Sequence, residues 1–260
     1  MKISWSKCSA HYLTATLFFC TVTSSEGPAI AQNGVPPSIT ADQKKSLERI
    51  VREYILENPE IIPEAIKRLE QKQLLATSRA DKEAVVANKE EIYNDPDAPV
   101  AGNPNGDVTI VEFFDYRCGV CKRIYPIVDE LIKTDTNIRR VYKVWPILGP
   151  TSVLAAQAVI ASRKQGKYHA FHKVMMEANS SFELTSILNL GKLVGMDTEQ
   201  LERDIKGPEV EAIIRKNHAL ANKLRLTGTP SFVIGDTLLR GGRDLESLRQ
   251  IVADARASIN

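Results

Sequence analysis

Two cysteines separated by two residues give this chain its clearest chemical signal. Cys118 and Cys121 enclose a Gly-Val pair, and the apolar, aromatic run Thr109–Phe114 before them predicts a buried strand. A helix-like segment follows, so we expect the pair at a strand-to-helix junction. Two thiols at this spacing close a small disulfide ring, and the N-terminus of a helix stabilises the thiolate of the first cysteine. The spacing therefore predicts redox chemistry, with Cys118 as the reactive thiol.

The other two cysteines, Cys8 and Cys20, lie in a segment with the features of a secretory signal peptide. Residues 1–31 combine a basic start, the apolar stretch Leu13–Val22 and a small-residue cleavage motif. The apolar stretch is too short to span a bilayer. We therefore expect cleavage before Gln32 and export to the periplasm, which leaves a single Cys-x-x-C in the mature chain. Such a pair favours a catalytic dithiol, and the alternative is a short-loop structural disulfide.

The overall composition narrows the choice of partners. The chain has 260 residues, of which 43% are hydrophobic and 25% charged, as is ordinary for a globular protein. Its formal net charge of +2 gives no reason to expect binding to nucleic acid or acidic lipid. No later apolar run is long enough for a transmembrane helix.

The mature chain begins with a helical arm, residues 32–94. A tether with Gly and Pro comes first, and helical spacing of apolar residues follows on both sides of a break at Asn58-Pro59. Thr40 is a candidate N-cap, and Gln43 completes a capping box. Two short stripes bury each other poorly, so they need a partner surface, either other copies of the segment in a trimer or dimer, or the body of the same chain. The stripe residues are Leu47, Ile50, Val51, Tyr54, Ile62, Ala65, Ile66 and Leu69.

Residues 95–260 have the pattern of an α/β domain that begins with turn-rich sequence. A long helical stretch over about 151–225 separates two groups of strands, and a helix over Leu245–Ala257 closes the chain. Strands are predicted over Thr109–Phe114, Ile138–Val144, Ser231–Ile234 and Thr237–Leu239. The order is strand, helix, strand, helical insertion, strand, strand, helix. This order predicts a thioredoxin-like fold with an inserted helical domain.

Three separated motifs resemble the DsbA family of thioredoxin-like proteins. They are the dithiol segment Phe113–Lys122, the segment Tyr142–Gly149 that leads into the insertion, and the loop Thr227–Val233. The resemblance covers about residues 100–257 and implies a thiol–disulfide oxidoreductase. It also implies protein clients with cysteines and a membrane or periplasmic redox partner. The helical arm is similar to the N-terminal extension of the ScsC-like and Com1-like branch.

The resemblance implies roles for individual residues. Cys118 would attack as nucleophile, and Cys121, one turn into the helix, would resolve the mixed disulfide. Pro230 matches the family's cis-proline and would expose the backbone of Thr229 to an extended client, whereas the residues alone also allow a trans turn proline. Glu112 matches an acidic residue beneath the second cysteine and would relay its proton, and the alternative is an outward-facing strand position. The Gly-Val dipeptide differs from the Pro-His of strongly oxidising members, so their oxidising strength does not carry over.

Charged and histidine side chains near these motifs have competing interpretations. Arg117 and Lys122 flank the dithiol, and each either helps to stabilise the thiolate or is a solvated surface charge. His169 and His172 would supply, with the two cysteines, four zinc-type ligands. An aromatic-His pair common in the family explains Phe171-His172 without metal, so we expect no metal and no cofactor.

The direction of the redox reaction stays open at the level of sequence. The arm favours an isomerase or reductase, because an oligomer can hold misfolded clients and shield its dithiols from re-oxidation. A monomeric oxidase that introduces disulfides is the alternative. A protein of another class, which sequesters copper on the two thiols, is also compatible with the pair.

Overall fold

The computed structural model describes residues 39–258, so the predicted signal peptide and most of the tether lie outside the described residues. The arm contains α1 (Ala41–Glu57), α2 (Ile61–Ala87) and α3 (Lys89–Tyr93). The strands are β1 (Val100–Gly102), β2 (Val108–Phe114), β3 (Ile138–Val144), β4 (Ser231–Ile234) and β5 (Thr237–Arg240). The later helices are α4 (Gly119–Thr134), α5 (Pro150–Ala161), α6 (Tyr168–Glu177), α7 (Leu184–Leu193), α8 (Thr198–Asp204), α9 (Pro208–Lys223) and α10 (Leu245–Ala257).

The strands form one mixed sheet in the order β1-β3-β2-β4-β5. β2 and β3 are parallel and joined by α4, because parallel neighbours need a crossover connection. β4 pairs antiparallel with β2, and β5 with β4. The predicted α/β, thioredoxin-like fold is therefore confirmed, with α5 to α9 inserted between β3 and β4. The sequence did not predict β1, because three residues are too few to show a period.

Helices cover both faces of the central strands, which explains why β2 reads as a continuous apolar run. On one face, α4 and α10 pack through Val128, Leu131, Leu248 and Val252 against Ile110, Phe232 and Ile234. On the other face, α9 packs through Leu220, Ala221 and Leu224 against Val111, Phe113 and Val233. Neighbouring residues of β2 thus serve two separate cores, as the two-residue period of a strand requires.

The end of α2 and the short α3 belong to the second of these cores. Val85 and Ile92 are fully buried together with Val111 and Val233. Polar contacts hold the same segment: Asp81 pairs with Arg240, Lys82 with Asp236, and Lys143 donates to the carbonyl of Glu91. Residues 81–93, which the sequence analysis grouped with the arm, therefore pack on the sheet.

In the first part of the arm, α1 and the first half of α2, the large apolar side chains are exposed. The capping box is present, since Thr40 Oγ1 accepts from Gln43 N at 3.3 Å and Gln43 Oε1 accepts from Thr40 N at 3.0 Å. The break at Asn58-Pro59 separates α1 from α2. About half of the surface of each large stripe side chain stays exposed, namely Leu47, Ile50, Val51, Tyr54, Ile62, Ile66 and Leu69. No helix between residues 39 and 258 is long and apolar enough to cross a bilayer.

Two adjacent valines of α2 provide a matched test of this packing. Val85 is 0% exposed and Val86 is 52% exposed. We expect Val85→Ala to lower the free energy of unfolding by about 2 kcal/mol, because it removes buried methyl groups. Val86→Ala should stay within about 0.5 kcal/mol of the wild type. Urea unfolding followed by circular dichroism measures both, and equal losses would show that the end of α2 does not share the core.

Candidate active site

The dithiol lies where the sequence predicts it, at the junction of β2 and α4. β2 ends at Phe114, and Cys118 is the N-cap of α4. Its Sγ accepts a hydrogen bond from Cys121 N at 3.3 Å, so a backbone donor of the first helical turn points at this sulfur. Cys118 is 8% exposed and Cys121 is 0% exposed, and neither forms a disulfide. The first cysteine is therefore the more accessible one.

The pKa values of the two thiols are shifted in opposite directions. A hydrogen bond with the Cys121 thiol is the main cause that lowers the pKa of Cys118 to about 5, and Thr229 and backbone N–H groups also contribute. The same hydrogen bond, together with burial, raises the pKa of Cys121 far above its usual value. At neutral pH the site therefore holds a thiolate at Cys118 and a protonated thiol at Cys121. This is the charge distribution that an attacking and a resolving thiol require.

The loop before β4 lies beside the reactive sulfur. The Thr229–Pro230 peptide bond is cis, as expected from the resemblance, and Thr229 O is 3.2 Å from Cys118 Sγ. Thr229 lies close to Cys118 because β4 pairs antiparallel with β2 in a register that places Ser231 opposite Phe113. The residues before β4 therefore meet the residues that follow β2. The role of Thr229 and Pro230 in holding a client stays a prediction.

Glu112 is fully buried, which excludes the outward-facing alternative. Its Oε2 accepts hydrogen bonds from Nε and Nη2 of Arg140, the former at 3.0 Å. The Arg140 guanidinium in turn lies over the ring of Tyr142, 4.7 Å from its centroid. Among the described residues no hydrogen bond joins Glu112 to Cys121, and Glu112 Oε1 has no partner there. The proton relay to Cys121 therefore stays a prediction.

Lys122 is a structural anchor, in contrast to the solvated charge that the sequence allows. Its Nζ donates to the carbonyls of Met175, Met176 and Ala178 at 3.0, 3.2 and 2.6 Å, and lies 4.9 Å from the ring centroid of Phe182. Burial lowers its pKa. The last carbonyls of a helix lack partners within the helix, so Lys122 satisfies the end of α6. It thereby fastens the inserted helices to the first turn of α4.

Asp115 is a second anchor, and the sequence analysis did not identify it. Its buried carboxylate accepts from Arg117 N at 2.8 Å and from the Ser152 hydroxyl at 2.7 Å. It also accepts from the backbone N–H groups of Ile147 and Leu148 at 2.8 and 3.1 Å. The turn before the dithiol is thus tied to the entry of the insertion. An aspartate directly after a strand is typical of such turns, and this was the available signal.

His172 is part of an aromatic core. Its Nδ1 is 2.8 Å from the hydroxyl of Tyr116, and its ring stacks on Tyr168. Burial holds its pKa well below its usual value, and the nearby Arg140 adds to this effect, so the imidazole is neutral. Within residues 39–258 no group of three or more His, Cys, Asp or Glu side chains is placed to hold a metal ion.

The pKa of Cys118 predicts how the reduced protein responds to pH. Alkylation by iodoacetamide, which reacts with thiolate, should have its midpoint at about pH 5. An ordinary cysteine titrates at about pH 8.5. Because folding lowers this pKa, the thiolate stabilises the reduced fold fully above the pKa of the unfolded thiol, and this contribution disappears as the pH falls through about 5.

The stability of reduced wild type relative to Cys118→Ser should therefore rise with pH between these two values. Urea unfolding across this range measures the difference. A difference that does not change with pH would contradict the assignment.

Comparison with known proteins places this geometry in a family. Residues 109–253 match the DSBA-like thioredoxin domain, and residues 43–74 match the copper resistance protein ScsC N-terminal domain. A thioredoxin-like oxidoreductase from Silicibacter pomeroyi DSS-3 is 49% identical with a TM-score of 0.64, and the match covers 65% of this chain and 98% of that one. A linker-deletion mutant of Proteus mirabilis ScsC is 28% identical with a TM-score of 0.64, over 86% of this chain and 99% of that one.

Relatives also include a much longer protein. The Na(+)/H(+) antiporter NhaA 3 of Salinispora tropica is 26% identical over 167 residues, which are 63% of this chain and 26% of the antiporter. The present chain thus spans about a quarter of that relative. The DSBA-like match extends over more than half of the chain and includes the dithiol, the inserted helices and the cis-proline loop. The chain therefore belongs to the family of proteins with a DSBA-like thioredoxin domain, and residues 43–74 of its arm match the N-terminal domain of ScsC.

Proposed function

We propose that this protein is an exported thiol–disulfide oxidoreductase that acts on protein clients, mainly as an isomerase or reductase. The observation that carries the proposal is the position of the dithiol at the start of α4 beside the cis-proline loop, where the pKa values of Cys118 and Cys121 are shifted in opposite directions. Disulfide exchange needs an ionised first thiol, which is the more accessible of the two, and a protonated second thiol.

The exchange follows from this charge distribution. The Cys118 thiolate attacks one sulfur of a client disulfide, a mixed disulfide forms, and the other client sulfur leaves as a thiolate and is protonated. In the reductive direction, Cys121 loses its proton and attacks Cys118 Sγ. The client's remaining sulfur leaves, so two electrons have passed to the client and Cys118–Cys121 is a disulfide. In isomerisation, a second client thiolate attacks the mixed disulfide instead and regenerates Cys118 without net transfer of electrons.

Neighbouring groups support both steps. An extended client that adds to the backbone at Thr229 would bring its sulfur next to Cys118, because Thr229 O is 3.2 Å from Sγ. The buried Glu112 would accept the Cys121 proton, and its Oε1 oxygen, which has no partner among the described residues, supports this role. Burial of Cys121 keeps this proton in place until a mixed disulfide has formed.

The arm supports the choice of isomerase or reductase over oxidase. Its stripe on α1 and the first half of α2 is about half exposed in the single chain, and each large side chain would contribute about 1.5–3 kcal/mol if other copies buried it. We therefore propose that the arm joins copies of the chain into a trimer or dimer. Such an assembly would hold one client between several dithiols. Export rests on the signal-like features of residues 1–31.

Mixed disulfides test the roles of the two cysteines. Cys121→Ser should accumulate covalent complexes with clients, because the resolving thiol is absent. Cys118→Ser should form none and lose activity, because the thiolate nucleophile is absent. Non-reducing electrophoresis followed by mass spectrometry measures the complexes. Complexes that form with Cys118→Ser but not with Cys121→Ser would reverse the assignment.

Light scattering of the mature protein tests the arm. We expect an oligomer for the wild type and a monomer when the stripe is made polar by Leu47→Gln, Ile50→Gln and Tyr54→Gln. The monomer should still reduce simple disulfides but should rescue scrambled ribonuclease several-fold more slowly. A matched control changes the polar side of α1 by Lys45→Gln, Arg49→Gln and Arg52→Gln and should stay oligomeric. A monomeric wild type would exclude the proposed assembly and favour an oxidase.

A further inference from the structure

Three arginines around Cys118 have no carboxylate partner among residues 39–258. Arg117 directly precedes Cys118, Arg123 lies in the second turn of α4, and Arg243 lies in the loop between β5 and α10. Five other arginines of the described chain, Arg140, Arg215, Arg240, Arg249 and Arg256, pair with carboxylates, whereas Arg139 and Arg163 donate to carbonyls. The chain's net charge is only +2, so this local set does not follow from a basic composition.

Contacts with the backbone hold two of these guanidinium groups at the rim of the site. Arg117 Nη1 donates to the carbonyl of Leu148 at 2.7 Å. Arg243 Nη1 donates to the carbonyls of Arg240 and Gly242 at 3.2 and 2.9 Å. Neutral carbonyl acceptors orient the two groups without cancelling their charge.

The surroundings of Gly119 and Gly242 show that Arg123 and the loop of Arg243 lie near the dithiol. A side chain at Gly119, next to Cys118, would have its Cβ 3.6 Å from Nη1 of Arg123. A Cβ at Gly242 would be 3.7 Å from Cγ1 of Val120, inside the dithiol loop. The three arginines therefore belong to segments that adjoin the dithiol: the turn before it, its own helix and the loop after β5.

Three carboxylates on the elements that carry these arginines are engaged by other groups. Asp115 is buried and accepts four local hydrogen bonds. Asp129 pairs with Lys133 at 2.7 Å. Asp244 caps α10, and its pKa is lowered chiefly by the hydrogen bond from Ser247 N and also by the charge of Arg243. The arginine forks thus keep donors free for a carboxylate that comes from outside the chain.

We propose that Arg117, Arg123 and Arg243 form a docking surface for client segments that carry Asp or Glu next to their reactive cysteine. The proposal rests on the proposed function and adds a client preference to it. Guanidinium groups bind carboxylates in bidentate fashion and steer acidic partners toward the site. Val120 and Leu148, 37% and 43% exposed, provide apolar contact between the charges.

Peptides of matched sequence test the preference on the full mature protein. Three peptides with the same internal disulfide carry Glu, Gln or Lys on both sides of the attacked cysteine. Stopped-flow measurements at low ionic strength should give a rate constant for the Glu peptide that is about tenfold that for the Lys peptide. This ratio should fall toward one in concentrated NaCl, because salt screens exposed charges.

Two triple variants test whether these arginines cause the difference in rate constant between the Glu and Lys peptides. Arg117→Gln, Arg123→Gln and Arg243→Gln together should reduce it to about one. A control with equal loss of charge, Arg203→Gln, Arg215→Gln and Arg249→Gln, should keep it. The pH midpoint of Cys118 alkylation is measured in each variant as a control for a changed pKa of the thiol. A changed pKa would alter the rate constants of all three peptides together and would leave the Glu-to-Lys ratio unchanged.

The possible results distinguish failure of the docking surface from failure of the proposed oxidoreductase function. Equal rates for the three peptides, or equal loss of the ratio in both triple variants, would overturn the docking surface and leave the oxidoreductase intact. A protein that exchanges with none of the peptides would overturn the proposed function, and the docking surface with it. A ratio that is salt-sensitive and lost only in the Arg117, Arg123 and Arg243 variant supports the proposal.

Discussion

The antiparallel pairing of β2 with β4 is the constraint on which the site depends. Because Ser231 lies opposite Phe113, the residues before β4 meet those after β2, and Thr229 reaches Cys118. This strand pair is buried on both faces, so a shift of its register by one residue would exchange the two cores and is strongly disfavoured. The rigid sheet thus fixes two distant segments of the chain at the distance that exchange requires.

Hydrogen bonds and burial then give the two thiols different roles. Cys118 receives donors from Cys121 and the first turn of α4, whereas Cys121 is buried beneath it. Two anchors hold this arrangement in place: Lys122 binds the end of α6, and Asp115 binds the entry of α5. The inserted helices are therefore a support for the redox centre as well as a cover over it.

The arm combines two opposite kinds of surface in one segment of the chain. The end of α2 and α3 are part of the core through Val85 and Ile92, and ion pairs to Arg240 and Asp236 reinforce this contact. The stripe on α1 and the first half of α2 is exposed. An exposed apolar stripe of this kind is typical of a surface that binds another chain.

The sequence by itself determined the local features of this protein: the dithiol at a strand-to-helix junction, the four longer strands, the capping box at Thr40 and the order of elements that defines the fold. Each follows from residue type and period within a short window. Only the tertiary structure decided that Glu112 pairs with Arg140, that Lys122 binds the end of α6, and that residues 81–93 pack on the sheet. These contacts join segments far apart in sequence, and no local period reports which distant group a buried charge will meet.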